Sequence, residues 1–228
     1  MRHILTLLVL YSCVSFAQMG RFPFYVPQTT AAVAPLIYDD FESGSFNVGW
    51  ITTTADTINT PATWGLAAPA EGGTNICKIP AGLRYNLSGA AATEVWAKEI
   101  FYSSDMTDPG MEDRALIVRQ ADEQLMMHLK FSAGWGGLQW YWYRGGDPQT
   151  TTIGSISSDT WYTVKYHFVI SATVGAIEIW VNGVQKIDLH NINTGTTAMN
   201  DLWFGTNSGT STTRFVDNAG VYSVDPDP

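Results

Sequence analysis

Cysteine is scarce in this sequence, which limits how the fold can be stabilised. The chain has two cysteines, Cys13 and Cys77. We expect Cys13 to be removed with an N-terminal signal, so no internal disulfide is expected and the hydrophobic core must stabilise the domain. A chain of about 210 residues can bury roughly 70% of the surface that it exposes when unfolded. We therefore expect Cys77 to be a buried apolar residue and not a reactive thiol.

Charged residues and long apolar runs are also few. Charged side chains make up 14% of the chain, and 12 basic against 21 acidic residues give a formal net charge of −9. This balance argues against nucleic acid or an anionic membrane surface as a partner, because both would repel the chain. Beyond the N-terminus, no segment has the roughly 18 consecutive apolar residues of a transmembrane helix, so we expect no membrane insertion.

The N-terminal residues have the order of a secretory signal peptide. A basic start precedes apolar residues 4–10, and small residues then lead to Ala17. This order predicts a signal peptide over residues 1–17, cleavage after Ala17 and a secreted, extracellular protein. The alternative is a lipoprotein anchored through Cys13, because residues 10–13 loosely resemble a bacterial lipobox, although Tyr11 fits that motif poorly.

The rest of the chain divides into an extended leader, one domain and a short tail. Residues 18–35 contain three prolines together with threonines and alanines, which is typical of an extended segment. The leader also carries aromatic residues, which either strap it to the domain or contact a neighbouring molecule and support self-assembly: Phe22, Phe24 and Tyr25. We predict one domain over residues 36–225 and a tail over residues 226–228.

Short runs of alternating apolar and polar residues recur after residue 35, and no long segment has the 3.6-residue period of a helix. The pattern predicts an all-β fold. Its clearest predicted strands cover residues 94–102, 115–119, 124–131, 138–144, 161–170, 176–181, 202–205 and 214–222. Between two of these runs, Asn182 and Gly183 predict a type I′ hairpin turn, because both residue types readily adopt a positive φ.

Three motifs carry a family resemblance. They are YDDFESG at residues 38–44 with Trp50, WYTVKY at 161–166 through IWVNG at 179–183, and FVDNAGVY at 215–222. In this order they resemble the concanavalin A-like lectin and glucanase superfamily in its laminin-G-like bacterial form. The resemblance implies a jelly roll, a sandwich of two antiparallel sheets with adjacent first and last strands and a concave sheet that commonly holds carbohydrate. Function stays open, because members include lectins, hydrolases, lyases and adhesion domains.

Residues 124–144 predict a hairpin with two chemically different faces. Its apolar face is expected to lie in the core. On the other face His128 is expected opposite Tyr141, and Lys130 opposite Gln139. Flat aromatic rings suit the apolar C–H faces of sugars, and polar side chains suit their hydroxyl edges. This face, with the loop tryptophan beside it, is the predicted glycan site: His128, Lys130, Gln139, Tyr141, Tyr143 and Trp135. The alternative is ordinary cross-strand pairing, with Trp135 capping the hairpin.

Enzymatic readings have weaker support in the sequence. Related glucanases carry Glu-x-Asp-x-Glu on one strand, because the two catalytic carboxyl groups must face each other about 5 Å apart. This sequence has no such motif, and we expect Glu94 and Glu99, on opposite faces of their strand, to be solvated. A polysaccharide lyase would need a proton-abstracting base and a group that neutralises the substrate carboxylate. Several side chains have that chemistry, although the family's Gln-x-His and Arg-rich strand motifs are absent: Arg119, His128, Lys130, Gln139, Tyr141, Lys165 and His167.

Four acidic residues fall at the strands that the resemblance places at the joined termini: Asp39, Asp40, Glu42 and Asp217. Their hard oxygen atoms favour calcium, which would brace the fold. The alternative is that Asp39 and Asp40 protect a sheet edge from pairing. The sequence shows no His/Cys cluster that would favour zinc or another transition metal, and it suggests no other cofactor.

The sequence thus predicts a secreted jelly-roll module that binds carbohydrate without cleaving it. The expected partner is a polysaccharide or a cell-surface glycan. Two alternatives remain open at this point. One is a polysaccharide lyase that uses His128, and the other is a structural or adhesion protein that assembles through its leader.

Overall fold

The computed structural model describes most of the chain between residues 34 and 227. The described ranges are 34–53, 56–80, 82–87, 92–103, 113–120, 125–132, 137–144, 147–154, 157, 159–205 and 214–227. Between residues 113 and 152 the description covers the backbone and few side chains. All these ranges belong to one unit, Val33–Pro228. The predicted signal peptide, with Cys13, and almost all of the predicted leader lie outside the described residues.

The regular secondary structure of the described residues consists almost entirely of β-strands. One short 3₁₀ helix, Pro61–Trp64, interrupts them. The strands are β1 (Ile37–Asp39), β2 (Trp50–Ile51), β3 (Thr57–Asn59), β4 (Ile76–Ile79), β5 (Leu83–Asn86), β6 (Glu94–Ser103), β7 (Asp113–Gln120), β8 (Leu125–Ser132), β9 (Gly137–Arg144), β10 (Asp147–Gly154), β11 (Thr160–Val169), β12 (Gly175–Val181), β13 (Val184–Ile192), β14 (Met199–Phe204) and β15 (Arg214–Tyr222). No described helix is long and apolar enough to cross a membrane.

The strands form two antiparallel sheets. The eight-stranded sheet has the order β13-β12-β11-β6-β15-β4-β3, and β1 also pairs with β15. The seven-stranded sheet has the order β10-β9-β8-β7-β14-β5-β2. This confirms the predicted all-β, two-sheet antiparallel jelly-roll sandwich. The first and last described strands are adjacent, with Ile37 opposite Val221, as the family resemblance implied.

The core follows from the two-residue period of the strands. On β11, Val164, Tyr166 and Phe168 are fully buried, while Thr163, Lys165 and Val169 face the other way and are half-exposed. Leu202 and Phe204 of β14 are also fully buried and belong to the same apolar cluster, although β14 lies in the other sheet. The inward faces of both sheets therefore form one shared core.

Two local predictions are confirmed by the structure. Cys77 is fully buried in the core cluster, and burial raises the pKa of its thiol far above the usual range. Asn182 and Gly183 have φ values of 48° and 75° and connect β12 to β13 as a tight hairpin.

The prediction that Glu99 is solvated is wrong. Glu94 and Glu99 do lie on opposite faces of β6, but Glu99 belongs to the inward face and is completely buried. Its Oε1 accepts a hydrogen bond of 2.8 Å from the hydroxyl of Tyr166. Its Oε2 lies 3.3 Å from Nη2 of Arg214, which is also completely buried. A buried cation compensates this carboxylate, and no local sequence pattern revealed that pairing.

Candidate functional site

The predicted glycan face lies on β8 and β9 of the seven-stranded sheet, and its backbone register is as expected. His128 is opposite Tyr141, and Lys130 is opposite Gln139. Tyr143 is opposite Pro148 of β10. The side chains of these strands and the whole of Trp135 lie outside the described residues. The grouping of these side chains into one site therefore stays a prediction.

The register of this sheet extends the row of His128 and Tyr141 toward β5. Ile117 of β7 is opposite His128, Trp203 of β14 is opposite Ile117, and Arg84 of β5 is opposite Trp203. The guanidinium of Arg84 lies 5.1 Å from the ring centroid of Trp203. Arg84 also forms hydrogen bonds of 2.9 and 2.6 Å with the two carboxylate oxygens of Asp201. This end of the row is thus a fixed combination of aromatic and charged side chains.

A second surface lies on the other sheet, where the described side chains form a groove of about 620 Å³. Strands β6, β11 and β12 form its floor, and residues 69–71 and the segment after β15 form its walls. It is lined by Pro69, Ala70, Glu71, Lys98, Ile100, Trp161, Thr163, Lys165, Trp180, Asn182, Gly183 and Asp227. Aromatic, cationic, anionic and amide side chains therefore meet in one depression.

Strand alternation places these groups on one face. On β11, Trp161, Thr163 and Lys165 alternate with residues that point toward the core, so all three reach the groove. Lys165 is opposite Lys98 of β6 on one side and Trp180 of β12 on the other. Three neighbouring strands thus contribute side chains at the same level of the sheet.

The aromatic rings near the groove are stacked. The ring of Trp96 lies 3.9 Å from that of His167, centroid to centroid, with an angle of 9° between the planes. Trp96 also stacks with Trp180 at 5.8 Å and 22°. Nζ of Lys165 lies 4.7 Å from the centroid of Trp180 and 5.3 Å from that of Trp96. These contacts restrain Trp180, which lines the groove.

The two lysines of the groove are paired with aspartates. Nζ of Lys98 lies 2.9 Å from Oδ2 of Asp227, and Nζ of Lys165 lies 2.9 Å from Oδ1 of Asp225. Both aspartates belong to the segment after β15, which brings their carboxylates to the two lysines. On the other wall, Nε1 of Trp161 donates a hydrogen bond of 2.8 Å to the carbonyl oxygen of Ala67. The groove therefore has fixed walls and neutralised lysines.

Sequence analysis did not identify this groove. Its residues come from segments far apart in the chain, and only Lys165 drew attention, as a candidate for lyase chemistry. One local signal was present. The outward residues of β11 form the sequence Trp161-x-Thr163-x-Lys165-x-His167, which combines aromatic and polar groups on one strand face. The same mixture of groups predicts the glycan face of the β8–β9 hairpin.

The predicted calcium ligands divide into two groups. Asp39 is buried, and its carboxylate accepts hydrogen bonds of 2.8 Å from the backbone N–H of Phe41 and 2.7 Å from that of Asn47. These bonds close the turn after β1. Burial raises the pKa of Asp39, while the two backbone bonds oppose that rise. The carboxylate of Asp39 therefore holds this turn.

Of the other three acids, Asp217 lies within the electrostatic influence of Asp40 and Glu42. Burial raises the pKa of Asp217 to about 7, and the charges of Glu42 and Asp40 add to the rise. Gly73 N–H donates a hydrogen bond of 3.2 Å to Oδ2 of Asp217. The space is tight, since a Cβ atom on Gly73 would collide with Oε1 of Glu42. Glu42 and Asp217 thus flank the same stretch of backbone, and carboxylate oxygens are the ligands that calcium prefers.

Comparisons with known proteins identify the fold. No family model matches the sequence, and no curated protein matches it. Solved structures do. The cellulose-induced protein Cip1 is similar with a TM-score of 0.57 and 14% identity, over 82% of this chain and 97% of that one. Alginate lyase Aly36B gives a TM-score of 0.51 and 14% identity over 67% and 82% of the two chains. The receptor-binding domain of botulinum neurotoxin type G gives a TM-score of 0.55 and 10% identity, over 84% of this chain and 49% of that one. At such identities the likeness is one of fold alone.

Proposed function

We propose that this chain is an exported jelly-roll domain of the concanavalin A-like superfamily that binds a glycan without cleaving it. We place the binding site in the groove over β6, β11 and β12. The observation that carries this proposal is that Trp161 and Trp180 line a groove whose other groups are hydrogen-bonding side chains.

The size and construction of the groove suit an oligosaccharide. A groove of about 620 Å³ lies within the range of roughly 300–1,000 Å³ that is usual for ligand sites. Indole rings offer flat apolar surfaces to the C–H faces of sugar rings, and Asn182 and Thr163 offer groups for the hydroxyls. Trp161 and Trp180 are already restrained by their contacts, so binding a sugar would order few further side chains.

The charges of the groove favour a neutral glycan. Lys98 and Lys165 are the two lysines that line it, and each is already paired with an aspartate. Glu71 adds an exposed carboxylate at the wall. A uronate or sulfate group would therefore meet no net positive charge. A sugar that carries only hydroxyl groups needs no positive charge in the site, so it can bind without electrostatic repulsion.

The names of two fold neighbours are compatible with this proposal. The structure that this chain spans almost completely is named a cellulose-induced protein, and another is named an alginate lyase. Both names refer to polysaccharides. They support a role in polysaccharide recognition without indicating which polysaccharide this chain binds.

A glycan array followed by calorimetry on the best ligand tests the groove. We expect Trp180→Ala to weaken binding at least tenfold. The variant loses the indole ring that would pack against the C–H face of the sugar, while the fold is retained. Trp203→Ala, which removes the same side chain from the other sheet, is the matched control and is expected to keep the affinity. Thermal unfolding of both variants separates loss of binding from loss of structure.

The same titration decides between the two faces. Tyr141→Ala should leave the affinity unchanged if the glycan binds in the groove. If Tyr141→Ala weakens binding and Trp180→Ala does not, the glycan binds on the β8–β9 face that the sequence predicted, and the groove assignment is wrong. If no glycan binds and the protein instead assembles with rising concentration, the structural or adhesion role replaces the proposal.

A polysaccharide lyase is the second candidate, and the register of the seven-stranded sheet is the observation in its favour. His128 and Tyr141 are directly opposite each other on β8 and β9. A general base and a general acid that act on the same sugar would have such neighbouring positions. Incubation with acidic polysaccharides would produce the absorbance of unsaturated uronates if this candidate is correct. His128→Ala should then abolish the signal.

We further propose that Asp40, Glu42 and Asp217 hold a structural calcium ion. The site would lie beside the pairing of β1 with β15 and would bind those two strands more firmly together. The charges of Glu42 and Asp40 help to raise the pKa of Asp217, and a divalent cation beside Asp217 would remove that repulsion.

Export is proposed from the N-terminal sequence. Mass spectrometry of the mature protein should find Gln18 at its N-terminus if cleavage follows Ala17. A lipid-modified Cys13 would instead establish the lipoprotein alternative. The aromatic leader, with Phe22 and Phe24, is the segment we propose for any contact between copies, and its deletion should then abolish assembly.

A further inference from the structure

A line of ionisable side chains crosses the outward face of the eight-stranded sheet at the end away from the groove. It runs from β6 across β11 and β12 to β13, which is the edge strand of the described sheet. Its members are Glu94, His167, Glu178, Asp188 and His190. Neither the proposed glycan groove nor the proposed calcium site uses these residues.

Three of these side chains converge. Glu178 of β12 is directly opposite Asp188 of β13, and His190 follows Asp188 by two residues, on the same strand face. One ligand atom from each of the three lies within 4.8 Å of the other two. Nε2 of His190 lies 2.8 Å from Oδ1 of Asp188 and 3.5 Å from Oε1 of Glu178. The imidazole nitrogen of His190 thus faces one carboxylate oxygen from the neighbouring strand β12 and one from its own strand β13.

We propose that Glu178, Asp188 and His190 form a binding site for a divalent transition metal ion, with zinc as the best match. Zinc binds imidazole nitrogen and carboxylate oxygen at about 2.0–2.2 Å, so its tetrahedral ligand atoms lie about 3.4 Å apart. The His190–Glu178 distance of 3.5 Å already matches that separation. The closer contact with Asp188 opens easily, because the side chain of Asp188 is 61% exposed.

His167 orients the carboxylate of Glu178 for this role. Nδ1 of His167 lies 2.6 Å from Oε2 of Glu178, and Nε2 lies 3.0 Å from Oε1 of Glu94. His167 is itself fixed by its stack on Trp96. One oxygen of Glu178 is therefore held from behind, and the other is directed toward His190. Such supporting hydrogen bonds typically fix the direction of a metal ligand.

The composition of the site selects the metal. The imidazole nitrogen favours zinc and its transition-metal neighbours over calcium and magnesium, which prefer oxygen ligands alone. The proposed calcium site has carboxylates only, so the two sites differ in chemistry. Three protein ligands would leave a fourth position for water or for a group of a bound molecule. The exposure of His190, at 52% of its side chain, gives an ion direct access.

Calorimetric titration of Zn²⁺ into the complete protein tests the proposal, with excess Ca²⁺ present to occupy oxygen-only sites. We expect one equivalent to bind in the wild-type protein. His190→Ala and Asp188→Asn should each weaken binding at least tenfold. Both residues are exposed on an edge strand, so these variants are expected to fold. Glu71→Gln removes one negative charge from the wall of the groove and should change the affinity less than twofold.

Two further measurements distinguish a built site from general attraction of a cation. Co²⁺ should give visible absorption bands of a low-coordinate complex, and those bands should disappear in His190→Ala. His167→Gln keeps the direct ligands but removes the support of Glu178, and we expect it to weaken Zn²⁺ binding about tenfold or more. If the wild-type protein binds no Zn²⁺, or if His190→Ala binds it as well as the wild type does, the proposal is wrong.

Discussion

Arg214 of β15 and Glu99 of β6 form an ion pair inside the sandwich. Nη2 of Arg214 lies 3.3 Å from Oε2 of Glu99, and neither side chain is exposed. The guanidinium also lies 4.7 Å from the ring centroid of Phe101, and Tyr166 donates its hydroxyl hydrogen to the other oxygen of Glu99. Burial and the negative charge of Glu99 raise the pKa of Tyr166, so the tyrosine remains a donor. Within an apolar core, these partners compensate one another.

Removing one partner of this pair should be costly. In Arg214→Met the carboxylate of Glu99 loses its cation while it stays buried, and such changes cost about 3–5 kcal/mol of unfolding free energy. Urea unfolding measures the loss. Lys186→Met, at an exposed position of β13, is the control and should change stability by less than about 0.5 kcal/mol. An Arg214→Met variant as stable as the wild type would show that the ion pair does not stabilise the fold.

The fold could be predicted from the sequence because its evidence is local. The period-two alternation identified β6, β11 and β12 within one or two residues, and the range of β15 was identified without error. Seven of the fifteen described strands were missed. β1 to β5 have only two to four residues each, too few to show a clear alternation, and β10 and β13 have an unusual composition. β10 is rich in threonine with a proline near its start, and β13 carries mostly exposed polar residues on an edge. The residues of such strands have a weak intrinsic preference for β-structure, and pairing with a neighbouring strand outweighs it.

The sites were harder to predict because they are not local. Glu99 looked like an ordinary surface acid, since its cation Arg214 lies 115 residues away in the sequence. The groove combines Trp161 and Trp180 with Asp227, and the metal-binding proposal combines Glu178 with Asp188 and His190. Only strand order and register bring such residues together. By contrast, the turn at Asn182 and Gly183 depends on two adjacent residues and could be predicted from them alone.

The elevated pKa of Asp217 should make the metal-free protein less stable as the pH rises. Its pKa is about 7 in the folded protein, against 3.8 for an ordinary aspartate. Between these values the folded state binds a proton that the unfolded state has released, so the free energy of unfolding falls as the pH increases through this window. Above about pH 7 the carboxyl group of Asp217 is ionised in both the folded and the unfolded state, and the free energy of unfolding falls no further on its account. Chemical unfolding at pH 5 and pH 8 in the presence of a chelator measures the difference.

Asp217→Asn provides the control for this pH dependence. The amide cannot ionise, so the fall in stability between pH 5 and pH 8 should be smaller than in the wild type. The variant should be the more stable of the two at pH 8, provided that Gly73 still donates its hydrogen bond to the side chain. An equal pH dependence in both proteins would contradict the assignment to Asp217.

Calcium should reverse this destabilisation by binding the ionised carboxylates of Asp40, Glu42 and Asp217. At a calcium concentration about 100 times the Kd, binding adds about 2.7 kcal/mol, which corresponds to a rise in Tm of about 5 °C or more for a domain of this size. Thermal unfolding at pH 8 with and without Ca²⁺ measures the shift. Asp217→Asn should reduce it strongly, and Glu71→Gln, an acid at the wall of the groove, should preserve it. A shift of the same size in Asp217→Asn would place calcium elsewhere.

The aspartates that pair with the groove lysines should control the charge preference of glycan binding. In the double variant Asp225→Asn, Asp227→Asn, the ammonium groups of Lys165 and Lys98 lose their partners and become available to carboxylate or sulfate groups of a ligand. We expect binding of acidic oligosaccharides to become about tenfold tighter at low ionic strength, because charged hydrogen bonds are among the stronger polar contacts. Binding of neutral oligosaccharides should change little, since their contacts are with Trp161 and Trp180.

Two comparisons make this last prediction specific to the groove. The double variant Asp159→Asn, Asp188→Asn removes the same total charge from other positions, so it controls for a general change in net charge. Added salt should abolish the gain of the first variant, because exposed ion pairs are screened within about 8–10 Å at physiological ionic strength. If both double variants bind acidic oligosaccharides equally well, net charge alone explains the effect. A gain confined to Asp225→Asn, Asp227→Asn would instead locate the ligand beside Lys98 and Lys165, because no other change in that variant creates a new contact for an anion.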